Sequence, residues 1–222
     1  MSLINQIHVR NISYSVWVDY VRPIEVVIPG VQGRVLGVLA RTEAELTIRT
    51  AARLAGVSAQ QASVVLNRLV DLGLVTRREA GSAALVRLDR ENDAARAVLA
   101  LVELHRSTMS RLAELAAAMS PAPASLIVFG SFARGQATAE SDLDVLVVRH
   151  AAMAADDEAW LDGLGAFEQA ARHVGGNPVD LLVVGADEVA TLLSSESGPW
   201  RAIVSEGVVL VGSTLSVFGS AA

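Results

Sequence analysis

The sequence predicts a two-domain protein that combines the α+β and α/β classes. Three observations lead there. The chain has 222 residues, which at roughly 100–200 residues per domain accommodates two small domains and excludes a large assembly. Residues 32–88 read as short helices followed by a pair of strands, whereas residues 121–212 read as apolar strands separated by helical stripes. Pro121 and Pro123 punctuate the chain between them, directly after the helical pattern of residues 93–119. The expected division is a strand-like extension over residues 1–24, a first domain over 25–92, a connecting helix over 93–120 and a second domain over 121–222.

Composition narrows the function. The chain is 52% hydrophobic with a net charge of −6, which fits a folded, soluble protein and excludes a disordered or strongly basic one. Every apolar run is interrupted, as Ala94 to Leu104 is by Arg96 and Glu103, so no membrane span is expected. The first 24 residues show no basic, apolar and small-residue succession, and the cytosol is the expected compartment. There is no cysteine, so disulfides, thiolate nucleophiles and thiolate metal sites are excluded. Charge is uneven along the chain: residues 25–90 carry nine Arg and six acids, and residues 121–222 carry four Arg and thirteen acids. That asymmetry suggests different partners for the two halves.

In the first half, Val35, Leu36, Val38 and Leu39 recur at helical spacing. Glu45 to Arg49 reads as a short strand and Thr50 to Ala55 as a helix. Gly56 then gives a tight turn, and Ser58 followed by Gln61 forms the capping-box pattern that opens a helix running to about Leu72. On it Ala62, Val65, Leu66, Leu69 and Leu72 share one face; Gln60, Ser63, Val64, Asn67 and Asp71 share the other, with Gln61 and Arg68 at the border. Gly73 stops the helix. Leu74 to Glu79 and Ala84 to Leu88 make two strands around a turn at Gly81 and Ser82.

This succession, and the stretch GVSAQQASVVLNRLVDLGLVTRRE in particular, resembles the winged helix-turn-helix domains of bacterial transcription regulators. The resemblance implies that the second helix enters the DNA major groove while the hairpin touches phosphates. It points to Gln60, Gln61, Ser63, Asn67 and Arg68 for bases, and to Arg77, Arg78 and Arg87 for the backbone. A module for dimerisation or partner binding, with a merely solvated polar face, is the competing reading.

In the second half, Ser125 to Phe129 reads as a buried strand that meets Gly130 and Ser131, a strand-to-helix turn suited to a polyphosphate. Asp142 and Asp144 begin a second apolar strand; two residues apart, they project to one face roughly 6–7 Å from each other. Asp180 begins a third such strand, and an isolated acid there is costly to bury unless paired or bound to a metal. Carboxylates beside a phosphate-binding turn suit Mg²⁺ or Mn²⁺ in a two-metal arrangement, with Asp180 as third ligand or general base. His105, His150 and His173 lack mutual spacing and read as ordinary packing or surface residues. Trp160, Leu161, Leu164 and Phe167 read as a core stripe, and the acids at 156–158 as a helix start.

Gly130-Ser131, ten intervening residues, Asp142-Leu143-Asp144 and then Asp180 resemble the active-site pattern of the DNA polymerase β-type nucleotidyltransferase superfamily, and GSFARGQATAESDLDVLVV is most similar to its minimal prokaryotic branch. SEGVVLVG is similar to the last strand of such domains, which the resemblance gives a small mixed sheet. It further implies that Gly130 and Ser131 hold the nucleotide phosphates, that Asp142 and Asp144 bind two metal ions, and that Asp180 binds the catalytic metal and helps deprotonate the acceptor. Arg134 has two readings, a phosphate contact or a surface pair with Glu140. The implied function is transfer of a nucleoside monophosphate from an NTP, expected to be ATP, with DNA binding through the first domain. The ten residues after Gly212 leave no room for a domain that cradles a small acceptor, which favours a macromolecular one, such as the protein partner of a toxin-antitoxin pair. A transcription regulator that senses nucleotide without turning it over is the alternative, and a homodimer is compatible with either.

Overall fold

The structure is a computed structural model that describes residues 18–81, 83–194 and 198–219. It divides into two compact units: residues 22–105 form one, and the chain from Arg106 onward, together with residues 18–21, forms the other. No helix among the described residues is long and apolar enough to cross a membrane.

The first unit is built from α1 (Pro23–Val27), α2 (Val31–Ala40), β1 (Leu46–Thr47), α3 (Ile48–Leu54), α4 (Ala59–Asp71), β2 (Val75–Ala80), β3 (Ala83–Leu88) and α5 (Asp93–Val102). Its three strands form an antiparallel sheet in the order β1-β3-β2. Val35, Leu36, Leu39, Ala51, Leu66, Leu69 and Val86 are buried together in one core. The capping box at Ser58 is present in full: the Ser58 hydroxyl accepts from the Gln61 N–H, and Gln61 Oε1 accepts from the Ser58 N–H. Thr47 caps α3 by accepting from Thr50 N–H. That cap starts α3 two residues earlier than its sequence pattern suggests and limits β1 to two residues.

Three expectations differ from the structure. Residues 1–17 of the anticipated strand-like extension, and Ser82 in the hairpin turn, lie outside the described residues. Residues 18–22 form no strand, and Pro23 instead starts α1, where its fixed φ suits a first helical turn and its missing N–H costs nothing. The single connecting helix expected over 93–120 is two, α5 and α6 (Leu104–Ala117), parted at Glu103. Leu72, assigned to the packed face of α4, is 57% exposed because it stands at the C-cap, beyond the last turn.

The second unit continues from α6 through β4 (Ser125–Phe129), α7 (Gly130–Ala133), β5 (Leu143–Arg149), α8 (Glu158–Gly175), β6 (Val179–Gly185), α9 (Val189–Leu193), α10 (Trp200–Glu206), β7 (Val208–Gly212) and α11 (Leu215–Gly219). The sheet is small and mixed, in the order β6-β5-β4-β7; β4 runs antiparallel to both neighbours, and β5 and β6 are parallel. All five residues of β4 are buried, as expected of a central strand. On one face Ile127, Leu146, Val148 and Val184 pack with Trp200, Ile203 and Leu215. Leu126, Val128, Val145 and Val147 alternate to the other face and are also buried, as are Trp160, Leu164 and Phe167 of α8. Leu161 leaves that stripe and is exposed. Asp157 caps α8 by accepting from Trp160 N–H at 2.9 Å.

Candidate active site and nucleic-acid face

Strand register brings the acids together. Phe129 pairs with Asp144, and Asp144 with Asp180, so the end of β4 and the second residues of β5 and β6 stand in one row across the sheet. Adjacent strands are about 4.8 Å apart, which sets the scale of that row. Leu143 and Val145 are buried and point to the opposite face, so Asp144 shares its face with Leu146 and Val148. The acids therefore stand where the apolar surface of that face ends. Asp142 precedes β5 by one residue and is exposed, as is Asp180; Asp144 is half-buried.

Gly130 lies directly against this row. Its φ is +68°, and a Cβ built there would fall 2.3 Å from Asp144 Oδ2. Only glycine fits, for backbone conformation and for space. The turn runs into α7, a helix of four residues; the N–H groups of the turn are present, but a single turn lacks the dipole of a long helix. Ser131 follows, half-buried.

The Asp144 carboxyl is pushed up to about 6, first by burial, then by the charges of Asp180 and Asp142, with Arg134 opposing them. Both neighbouring acids thus act on Asp144. Among the described residues no three His, Cys, Asp or Glu side chains form a ready-made metal cluster. The donor set is nevertheless all oxygen and carries surplus negative charge, which fits a hard divalent cation.

Arg134 is held by two acceptors. Its Nε donates to Gln136 Oε1 at 3.0 Å and its Nη1 to Glu206 at the end of α10. The pairing with Glu140 is not formed, because Glu140 accepts from Thr138 Oγ1 at 2.8 Å instead. Two residues that sequence reasoning missed also shape the site. Glu206 is one, and Asn177 is the other. Asn177 is buried; its Nδ2 donates to Ser141 O at 2.8 Å and Thr138 O at 3.2 Å, and its Oδ1 accepts from Val18 N–H at 3.2 Å. It anchors the loop that carries Asp142. A polar residue directly before an apolar strand was the only signal, and many turn residues share it.

Tyr20 borders the same region. Its ring meets Phe132 of α7 edge-on with centroids 4.6 Å apart, its hydroxyl donates to Gly175 O at 2.7 Å, and its N–H donates to Ala137 O at 2.9 Å. Burial holds the Tyr20 hydroxyl above its ordinary value, with the Thr108 hydrogen bond opposing.

On the first unit, Gln60, Asn67 and Arg68 are exposed on α4, and Ser63 is half-buried. The Gln61 side chain is occupied by the capping box. Asn67 Oδ1 accepts from Arg77 Nη1 at 3.0 Å, and Arg77 also donates to Glu79 Oε1 from Nε at 3.2 Å and from Nη2 at 3.0 Å. Arg78 is paired with Glu45 of the loop before β1, which holds the Glu45 carboxyl below its ordinary value. Arg87 is exposed on β3.

Residues 28–84 match the MarR family, and residues 78–174 match the family described as "Putative nucleotidyltransferase DUF294". Asp142 and Asp144 fall inside the second match and Asp180 six residues beyond it. Among solved structures, one described as the toxin-antitoxin MntA-HpeT mutant is 19% identical, with a TM-score of 0.36 over 50% of this chain and 81% of that one. Another, a toxin-antitoxin with AMP-PNP, is 21% identical, with the same TM-score and coverage. No curated protein matches the chain at a significant level. From the two family matches and the folds to which they correspond, the chain carries a MarR-family winged-helix domain followed by a nucleotidyltransferase domain of the DUF294 type.

Proposed function

We propose that the second unit transfers a nucleoside monophosphate from an NTP, ATP being the expected donor, to a macromolecular acceptor, and that the winged-helix unit binds DNA and so places or regulates the transfer. The observation that supports this most is the row formed by Gly130, Asp144 and Asp180. On this reading Gly130 and Ser131 present N–H and hydroxyl donors to the β and γ phosphates. Asp142 and Asp144 would hold Mg²⁺ or Mn²⁺, with Asp180 as the further ligand. Such ions, when bound, neutralise phosphate charge and stabilise the attacking and leaving oxygens. Asp180, exposed beside Asp144, accepts the proton of the acceptor hydroxyl, which attacks the α-phosphate in line as pyrophosphate leaves. Arg134 supplies positive charge at the same place. The acceptor class follows from the resemblance to minimal nucleotidyltransferases and is a protein partner of the toxin-antitoxin kind.

The test is a radiolabelled NTP transfer assay beside nucleotide calorimetry, on wild type, Asp144→Ala and Asp180→Asn. Asp144→Ala is expected to lose metal-nucleotide binding and transfer together. Asp180→Asn, nearly isosteric, should bind ATP-Mg²⁺ within a few-fold of wild type yet transfer on the order of 10²-fold more slowly. Equal transfer rates would remove Asp180 from the mechanism. A second reading, a transcription regulator that binds nucleotide without turnover, draws on the engagement of Arg134 by Glu206 and Gln136. Binding with no transfer to any supplied acceptor or DNA-bound protein would favour it.

A further inference from the structure

The exposed amide of Asn67 is not a free side chain. A guanidinium has only donors, so the amide atom facing Arg77 Nη1 at 3.0 Å is the oxygen, and the NH₂ end faces away from the arginine. Arg77 is itself fixed, because its Nε and Nη2 both reach Glu79 Oε1. Glu79, Arg77 and Asn67 thus form a chain of contacts from the wing strand β2 to the exposed face of α4.

Two consequences follow for a helix that reads base edges. The Arg77 charge is matched by Glu79 across a 3.0 Å ion pair, which makes Arg77 a poor phosphate contact compared with an unpaired cation. The Asn67 oxygen has already spent one of its acceptor positions, so what the amide offers outward is mainly its two N–H donors. Adenine is read by an asparagine that accepts from N6 and donates to N7 at once; guanine offers two acceptors, N7 and O6.

We infer that Arg77 is a specificity-positioning residue: by holding the Asn67 oxygen, it makes Asn67 select an acceptor-rich base edge, guanine, over adenine. This rests on the DNA-binding reading of the winged-helix unit and assigns to Arg77 a role different from the phosphate contact implied by the family resemblance.

The experiment uses the full chain on a randomised duplex library at fixed salt, with bound DNA sequenced for wild type, Arg77→Ala, Glu79→Gln and Asn67→Ala. Wild type is expected to enrich guanine at one position, and Asn67→Ala to erase that preference. Arg77→Ala should shift the same position toward adenine by on the order of tenfold, with the salt slope changed by well under one. Glu79→Gln, which frees Arg77 without shortening a side chain next to Asn67, should move preference in the same direction by a smaller factor. In the double variant with Asn67→Ala, the Arg77 change should have no further effect on that position. The inference is overturned if Arg77→Ala weakens all sequences alike and flattens the salt slope by about one, the signature of a phosphate contact. It is also overturned if base preference at the Asn67 position is unmoved in Arg77→Ala while Asn67→Ala erases it. Wild type that binds no duplex even at low salt removes the DNA-binding reading itself, and this inference with it.

Discussion

Gly130 ties backbone to chemistry at the residue scale. Gly130→Ala would place a methyl group on the Asp144 carboxylate and hold an L-residue at φ +68°. The expected cost is about 1–3 kcal/mol of stability, together with loss of nucleotide binding, both readable by thermal melts with and without ATP-Mg²⁺. Asp144 makes a pH prediction. Its folded value of about 6 lies above the ordinary 3.8, so between these values the folded state holds a proton that the unfolded state has released. Stability from this group therefore falls as pH rises through that window, and the full charge penalty stands above about pH 6. In EDTA, Asp144→Asn should melt higher than wild type at pH 7.5, with the difference vanishing near pH 4 and shrinking at pH 7.5 when Mg²⁺ is added. A variant that melts lower than wild type across the whole range would show that the carboxylate is not under strain. The three acids and the Gly-Ser turn were legible in the sequence, since period-two alternation and a lone charge in an apolar run are local signals. Asn177, Glu206 and the Arg77–Asn67 bond were not, because their partners lie 36, 72 and 10 residues away and no local rule selects them.

Elements were legible where local chemistry specifies them. The capping box at Ser58 and Gln61 forms as its spacing implies, and Ser58→Ala is expected to cost about 1 kcal/mol by leaving an N–H of the first turn without its acceptor. Denaturant unfolding followed by circular dichroism would measure it. A cost below the error of the method would mean that water caps α4 equally well. Both wing strands appear within one residue of the expected bounds, set by Gly73 and the turn after Ala80. The break at Glu103 was hidden, since residues on either side are good helix formers and nothing like proline or glycine marks it. The unit boundary, between His105 and Arg106, falls close by, in the first turn of α6. Local propensity has no view of that.

On the scale of the whole molecule, linear order and spatial grouping disagree. The sequence reading sets residues 1–24 apart as an extension ahead of the first domain, yet residues 18–21 group with the nucleotidyltransferase unit. The reason is physical. Tyr20 spends its ring on Phe132 and its hydroxyl on Gly175, and Val18 satisfies Asn177. Each partner is more than 100 residues away in sequence, so no periodicity could reveal the pairing.

That placement of Tyr20 sets the winged-helix unit within the other in chain order: residues 22–105 separate residues 18–21 from the rest of the nucleotidyltransferase unit. Genetic surgery should respect this nesting. Excising residues 22–105 and bridging Val21 to Arg106 with a flexible glycine-serine linker should give a folded, nucleotide-binding protein, whereas deleting residues 1–105 should uncover Phe132 and leave the Asn177 oxygen and the Gly175 carbonyl without their donors. The shorter protein should unfold at lower urea than the bridged one. Adding back a peptide that carries residues 18–21 should restore part of the difference, because it returns the Tyr20 ring and the Val18 N–H to their partners.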